Sequence, residues 1–107
     1  MSDIKRLISI IIPVFNESES IGFLLDEVIN VMSLHKFNFE LIVVNDGSKD
    51  NTHQVLKELS LKIKELKVIS LRKNYGQTAA MSAGFDNSKG DIIITCLLYT
   101  SDAADEV

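Results

Sequence analysis

A chain of 107 residues, 46% of them hydrophobic, is one domain at most and has enough apolar material for a packed core. A net charge of −4 with no basic patch argues against a nucleic-acid partner, and the single Cys96 excludes an internal disulfide, as suits a reducing compartment. No apolar run approaches the length of a bilayer span, and Met1–Arg6 leads into too short a run for a secretory leader; membrane attachment is expected outside this chain.

The first apolar run is Leu7–Ile12, "LISIII". Glu40–Val44, "ELIVV", Val68–Leu71, "VISL", and Asp91–Thr95, "DIIIT", follow. All are rich in β-branched residues and mostly lack alternation, the pattern of parallel strands buried on both faces.

Between the first two runs, Ile21, Leu24, Leu25, Val28, Ile29 and Met32 form a helical stripe, with Ser18 or Ser20 as cap candidates. Val55, Leu56, Leu59 and Ile63 form a second stripe, capped by Asp50, Asn51 or Thr52. A third helix, about Thr78–Asn87, carries small residues at Ala79, Ala80, Ala83 and Gly84, which let a helix lie close to a sheet. The order β-α-β-α-β-α-β predicts an α/β fold, a Rossmann-like parallel sheet whose ligands sit at the carboxyl ends of the strands.

Three loops should therefore meet at one mouth. In "PVFNESES", Pro13 is expected to end strand pairing because it has no N–H, leaving Asn16 and Glu17 at the sheet mouth. That loop also reads as an ordinary turn with a helix cap. In "NDGSKDNT", Asp46 follows a buried strand and Gly47 permits a positive φ, although Asp-Gly is common in plain turns. In "RKNYGQT", Arg72 and Lys73 add positive charge beside a helix start, a combination that favours anions but also occurs on solvated surfaces.

Taken in this order, "IIPVFNESESI", "ELIVVNDGSKDNT" and "LRKNYGQTAAMSAGFDNSKGDIIIT" resemble the family 2 glycosyltransferases of GT-A fold, in particular the dolichyl- and polyprenyl-phosphate sugar synthases. The resemblance runs from Ile8 to Thr95. It implies a parent enzyme that transfers a sugar from a nucleotide sugar, UDP- or GDP-linked, to an acceptor such as polyprenyl phosphate at the cytoplasmic face of the cell membrane. It implies that Pro13, Phe15 and Glu17 line the nucleoside pocket, with Glu17 toward the ribose. Asp46 would accept a base N–H, and Arg72, Asn74 and Gly76, together with Gly47, would lie along the nucleotide and diphosphate.

The same resemblance implies a divalent metal, Mg or Mn, held by an Asp-x-Asp motif after the last strand. Here Thr95 is followed by Cys96-Leu97-Leu98-Tyr99, with no carboxylate in place. "CLLYTSDAADE", Cys96 to Glu106, resembles one translated frame of a transposon-type sequencing adapter. Residues 1–95 are accordingly expected to be the N-terminal part of a GT-A domain, and 96–107 a non-native tail. Asp102, Asp105 and Glu106 then account for much of the acidity without belonging to a site.

Such a chain, lacking the metal motif and acceptor site, is expected to be inactive on its own. The alternative, if the tail is genuine, is a non-catalytic nucleotide-binding module. His35 and His53 lack metal-ligand spacing and read as surface helix positions. No Gly-x-Gly-x-x-Gly or phosphate-loop pattern supports a nicotinamide or NTPase domain. With strand order 3-2-1-4, "DIIIT" would lack an outer neighbour, and an apolar edge of that kind predicts poor solubility.

Overall fold

A computed structural model describes residues 6–96. The chain runs β1 (Leu7–Val14), α1 (Ile21–Leu34), β2 (Asn38–Asn45), α2 (Thr52–Lys62), β3 (Leu66–Ser70), α3 (Gln77–Asp86) and β4 (Ile92–Thr95). The strands form one sheet in the order β3-β2-β1-β4 with every neighbouring pair parallel. This is the expected α/β architecture. The adapter-like tail lies, apart from Cys96, outside the described residues.

Alternate residues of the central strands feed two cores. Ile8, Ile10, Ile12, Val14, Leu41 and Val43 pack with Ile21, Leu25 and Met32 of α1 and Leu56 of α2. Ile11, Ile42 and Val44 pack on the other face with Ala80 of α3. Two helices therefore cover one face and one helix the other. Ala79, expected on the small-residue face of α3, is exposed; contact with the sheet is made by Ala80 and Gly84, with Ala83 half-buried beside them.

Pro13 does not end strand pairing. It sits within β1 opposite Val44, and Val14 still faces Asn45. The direction of its missing N–H explains this. The Asp46 N–H donates to Val14 O at 2.8 Å, so Val14 points its polar groups at β2. Pro13, one residue out of phase, points toward β4, whose last pair is Thr95 with Ile11. The absent donor thus falls just beyond the end of the β1–β4 ladder.

The fourth strand is also not buried on both faces. Ile92, Ile93 and Ile94 are 40–44% exposed, because β4 is an edge of this sheet with α3 centred over β1 and β2 rather than over it.

Helix ends depart from the expected caps. Ser20 occupies the N-cap of α1, but its hydroxyl donates to Glu17 Oε1 at 2.7 Å rather than receiving a helix N–H. The other end closes as a Schellman motif with Lys36 at φ +59. Its Phe37 N–H donates to Met32 O and its Lys36 N–H to Ser33 O, at 2.9 and 3.0 Å.

At the amino end of the sheet, a buried polar group ties β1 to β2. The Ser9 hydroxyl donates to Glu40 Oε2 at 2.6 Å, the Lys89 N–H donates to the same oxygen at 2.7 Å, and Lys67 Nζ lies 2.8 Å from Oε1. Burial works to raise the Glu40 pKa, but the bonds from Lys67, Ser9 and Lys89, with the lysine charge, outweigh it and hold the carboxyl below its ordinary value.

Candidate functional site

The loops after β1, β2 and β3 gather at the opposite end. Asn16 stitches the first two together. Its N–H donates to Ser48 Oγ at 2.8 Å, and its Oδ1 accepts the Lys49 N–H at 2.8 Å and the Asp50 N–H at 3.4 Å. Asn16 does this at φ +55, a conformation that asparagine tolerates better than most residues. The Glu17 N–H donates to Thr52 Oγ1 at 2.9 Å.

Asp50, rather than the N-cap Asn51, serves the start of α2. Its Oδ1 accepts the Thr52 N–H at 2.9 Å and the Thr52 hydroxyl, and its Oδ2 accepts the Ser18 N–H at 3.4 Å. Burial raises the Asp50 pKa, but the bonds from Thr52 and Ser18 lower it further, so the net direction is down.

The second and third loops meet at Asp46, which is fully buried. Its Oδ1 accepts the Tyr75 N–H at 2.8 Å, and its Oδ2 accepts the Gly76 N–H at 3.0 Å and Asn74 Nδ2–H at 3.2 Å. Gly47 lies against the same loop at φ +70, where a Cβ would fall 2.2 Å from the Lys73 carbonyl carbon. Asn45 Oδ1 accepts the Ser48 N–H at 3.1 Å and closes the turn between them. Gly76 takes φ +105 at the N-cap of α3, which has no side-chain cap within its own turn.

Beside these loops is a cleft of about 430 Å³ edged by Lys49, His53, Arg72 and Lys73, with Gly47 and Asn74 in its wall. Lys73 Nζ rests 5.4 Å from the Tyr75 ring centroid, and His53 Nδ1 pairs with Ser70 Oγ at 3.1 Å. The clustering of cations at a cleft built from backbone turns suits an anionic ligand. A second concavity, about 340 Å³, is acidic and holds Glu17, Glu19 and Asp50.

The structure thus brings together Asp46, Gly47, Arg72, Asn74 and Gly76. Pro13 is buried in β1 and Phe15 is half-buried just past its end. Glu17 sits in the acidic concavity, its carboxylate engaged by Ser20. Lys49 and His53 join the cationic cleft; His53 was legible only as a surface helix position, and Lys49 only as a cation inside the Asp-Gly loop. Among the described residues no group of three or more His, Cys, Asp or Glu is placed to hold a metal ion. The described residues therefore do not fit a divalent metal.

The profile described as "Glycosyl transferase family 2" matches residues 9–97. The undecaprenyl-phosphate 4-deoxy-4-formamido-L-arabinose transferase of Proteus mirabilis is 40% identical over 98 residues, covering 89% of this chain and 30% of that protein. The dodecaprenyl-phosphate galacturonate synthase of Rhizobium johnstonii is 39% identical over 89 residues, covering 82% of this chain and 26% of that protein. This chain spans under a third of the length of these relatives. Among solved structures, a mannosyltransferase from Pyrobaculum calidifontis in complex with GDP-Man and Mn2+ superposes with a TM-score of 0.73 at 20% identity, over 85% of this chain and 27% of that one.

Proposed function

The chain belongs to glycosyl transferase family 2, and from that premise we propose that it is the donor-nucleotide part of an enzyme that moves a sugar from a UDP- or GDP-linked donor to a polyprenyl-phosphate acceptor. The observation that carries this reading is the cationic cleft at the carboxyl ends of β2 and β3. There Lys49, Arg72 and Lys73 line the cleft, the last two on a loop held by Asp46 and Gly47. Arg72 offers a planar fork of donors to a diphosphate, and Asn74 and Gly76 shape the backbone beside it. Asp46 Oδ1 takes one donor from the described residues, which leaves it a lone pair for a base N–H, and because the side chain is fully buried in the ligand-free chain, that contact requires the loop over it to shift. Pro13 and Phe15 form the apolar wall of the nucleoside pocket, and Glu17 marks its ribose end.

The polyprenyl-phosphate acceptor is supported by these two relatives, whose names each join a prenyl phosphate to a sugar. Work on such an acceptor places the parent at the cytoplasmic face of a membrane. No helix of the described residues is long and apolar enough to cross one. We further propose that residues 1–95 are the N-terminal part of a GT-A domain, that 96–107 are a foreign tail, and that the parent's Mg or Mn ligands follow β4 in its native sequence. On this reading the present chain binds nucleotide and turns nothing over.

Titration calorimetry with UDP, GDP and their sugars tests the assignment. One of the diphosphates is expected to bind in the micromolar to millimolar range without metal. Failure of all of them at millimolar concentration would overturn the reading. Sugar transfer by residues 1–107 with nucleotide sugar and Mn2+ would overturn the statement that the chain is inactive.

A further inference from the structure

The nucleotide reading uses Asp46 as an acceptor for a ligand, yet most of its hydrogen-bonding capacity is already used within the protein. We propose that Asp46 is a positioning residue, a latch that holds Asn74–Gly76 against the end of β2 and so fixes Arg72 and Lys73 at the cleft before any ligand arrives.

Three observations converge. Asp46 is fully buried, and its carboxylate accepts from Tyr75 N–H, Gly76 N–H and Asn74 Nδ2–H at 2.8, 3.0 and 3.2 Å. A buried carboxylate is costly unless such donors surround it, so loop and carboxylate depend on one another. The anchor is tied to the sheet, because the Asp46 N–H donates to Val14 O at 2.8 Å at the carboxyl end of β1. Finally, Gly47 admits the loop at a distance no side chain would allow, since a Cβ there would lie 2.3 Å from Asn74 N.

The latch also caps α3 from another strand. Gly76 is the N-cap of α3 and has no side chain to offer. The carboxylate of Asp46, on the Gly76 N–H, supplies the negative charge that a helix start favours. Arg72 lies between β3 and the latched residues, so its backbone is held at both ends.

Amide hydrogen exchange on the ligand-free chain of residues 1–107 tests the latch, with UDP and GDP titrations beside it. In the wild type the Tyr75 and Gly76 amides should be protected although they lie in a loop. In Asp46→Asn their exchange should quicken about tenfold or more, while Val43 in β2 keeps its protection. Affinities for UDP and GDP should both fall, because the loosened loop carries the Arg72 and Lys73 that line the cleft. Asn74→Ala, which removes one donor and leaves the carboxylate, should produce a smaller loss in the same direction and decides the matter if Asp46→Asn does not fold.

Fast exchange of Tyr75 and Gly76 in the wild type would overturn the latch, as would unchanged protection in Asp46→Asn. Loss of affinity for one base alone with protection intact would instead make Asp46 a base contact only. The affinity readout rests on the proposed nucleotide site and the exchange readout does not. If no nucleotide binds the wild type, the functional reading fails while exchange still decides the latch.

Discussion

Gly84 of α3 and Ile11 of β1 meet so closely that a Cβ at position 84 would fall 2.4 Å from Ile11 Cγ2. This contact seats α3 directly on the central strand. Alanine at 84 would gain about 1 kcal/mol of helix propensity, but overpacking typically costs about 1–3 kcal/mol. Gly84→Ala is therefore expected to destabilise the chain in urea. In an Ile11→Ala background the same change should become neutral or stabilising, because the obstructing methyl is gone. Additive effects in that double-mutant cycle would refute the contact.

The Ser9–Glu40–Lys67 group makes stability depend on acid. Glu40 has its pKa depressed in the folded state, so its contribution is complete above its ordinary value of 4.5 and is lost as pH falls through the lower folded value. Glu40→Gln should cost about 1–3 kcal/mol near neutral pH, and should flatten the stability profile below pH 4.5. Equal acid sensitivity of variant and wild type would exclude Glu40 as the source.

Asn16 holds the first loop to the second through both its backbone and its side chain. Asn16→Ala removes the acceptor for Lys49 and Asp50 and places a less tolerant residue at φ +55. A loss of about 1–2 kcal/mol is expected. Asn16→Gly should recover the part due to backbone conformation and leave the part due to hydrogen bonds. Thermal melts of the two variants separate these contributions.

Arg72 is expected to recognise charge rather than base. Arg72→Ala should weaken UDP or GDP binding about tenfold, the scale of one charge-assisted hydrogen bond, and should barely change binding of the uncharged nucleoside. Added salt should narrow the difference between wild type and variant. Equal losses for nucleoside and diphosphate would place Arg72 elsewhere.

The edge strand should govern solubility. Ile92–Ile94 are each two-fifths exposed on a strand with an open side among the described residues. Purified residues 1–107 should self-associate, and Ile93→Lys should reduce that association, since a charge on an edge opposes pairing between chains. Light scattering over a concentration series gives the comparison. A monomeric wild type that unfolds cooperatively would contradict the expectation.

The sequence of strands and helices along the chain and the helix stripes were legible because they depend on runs of like residues. The first helical stripe buries Ile21, Leu25 and Met32 as its spacing requires. What sequence did not show depends on direction and distance. Pro13 remains in β1 because its missing N–H faces past the end of β4, which no local rule expresses. Asp46 meets Asn74–Gly76 nearly 30 residues away, and only the fold sets that pairing. The Asp-Gly pair signalled a turn, but not that the glycine is needed for the approach of another loop. Glu40 looked like the first residue of an apolar strand; its partners Ser9 and Lys67 come from the strands on either side.

The position of β1 also orders the birth of the domain. It is made first but has both of its neighbours made later, and the bond from the Leu7 N–H to Asp91 Oδ2 spans 84 residues. On the ribosome, β1 can pair with β2 once the first crossover has emerged, while its other edge waits for the rest of the described chain. Pairings of long separation form slowly, and a nascent strand with a bare edge is exposed to wrong partners meanwhile. A pause in translation before Ile92 would lengthen that exposure, and a chaperone would find its apolar target on the side of β1 that β4 finally closes.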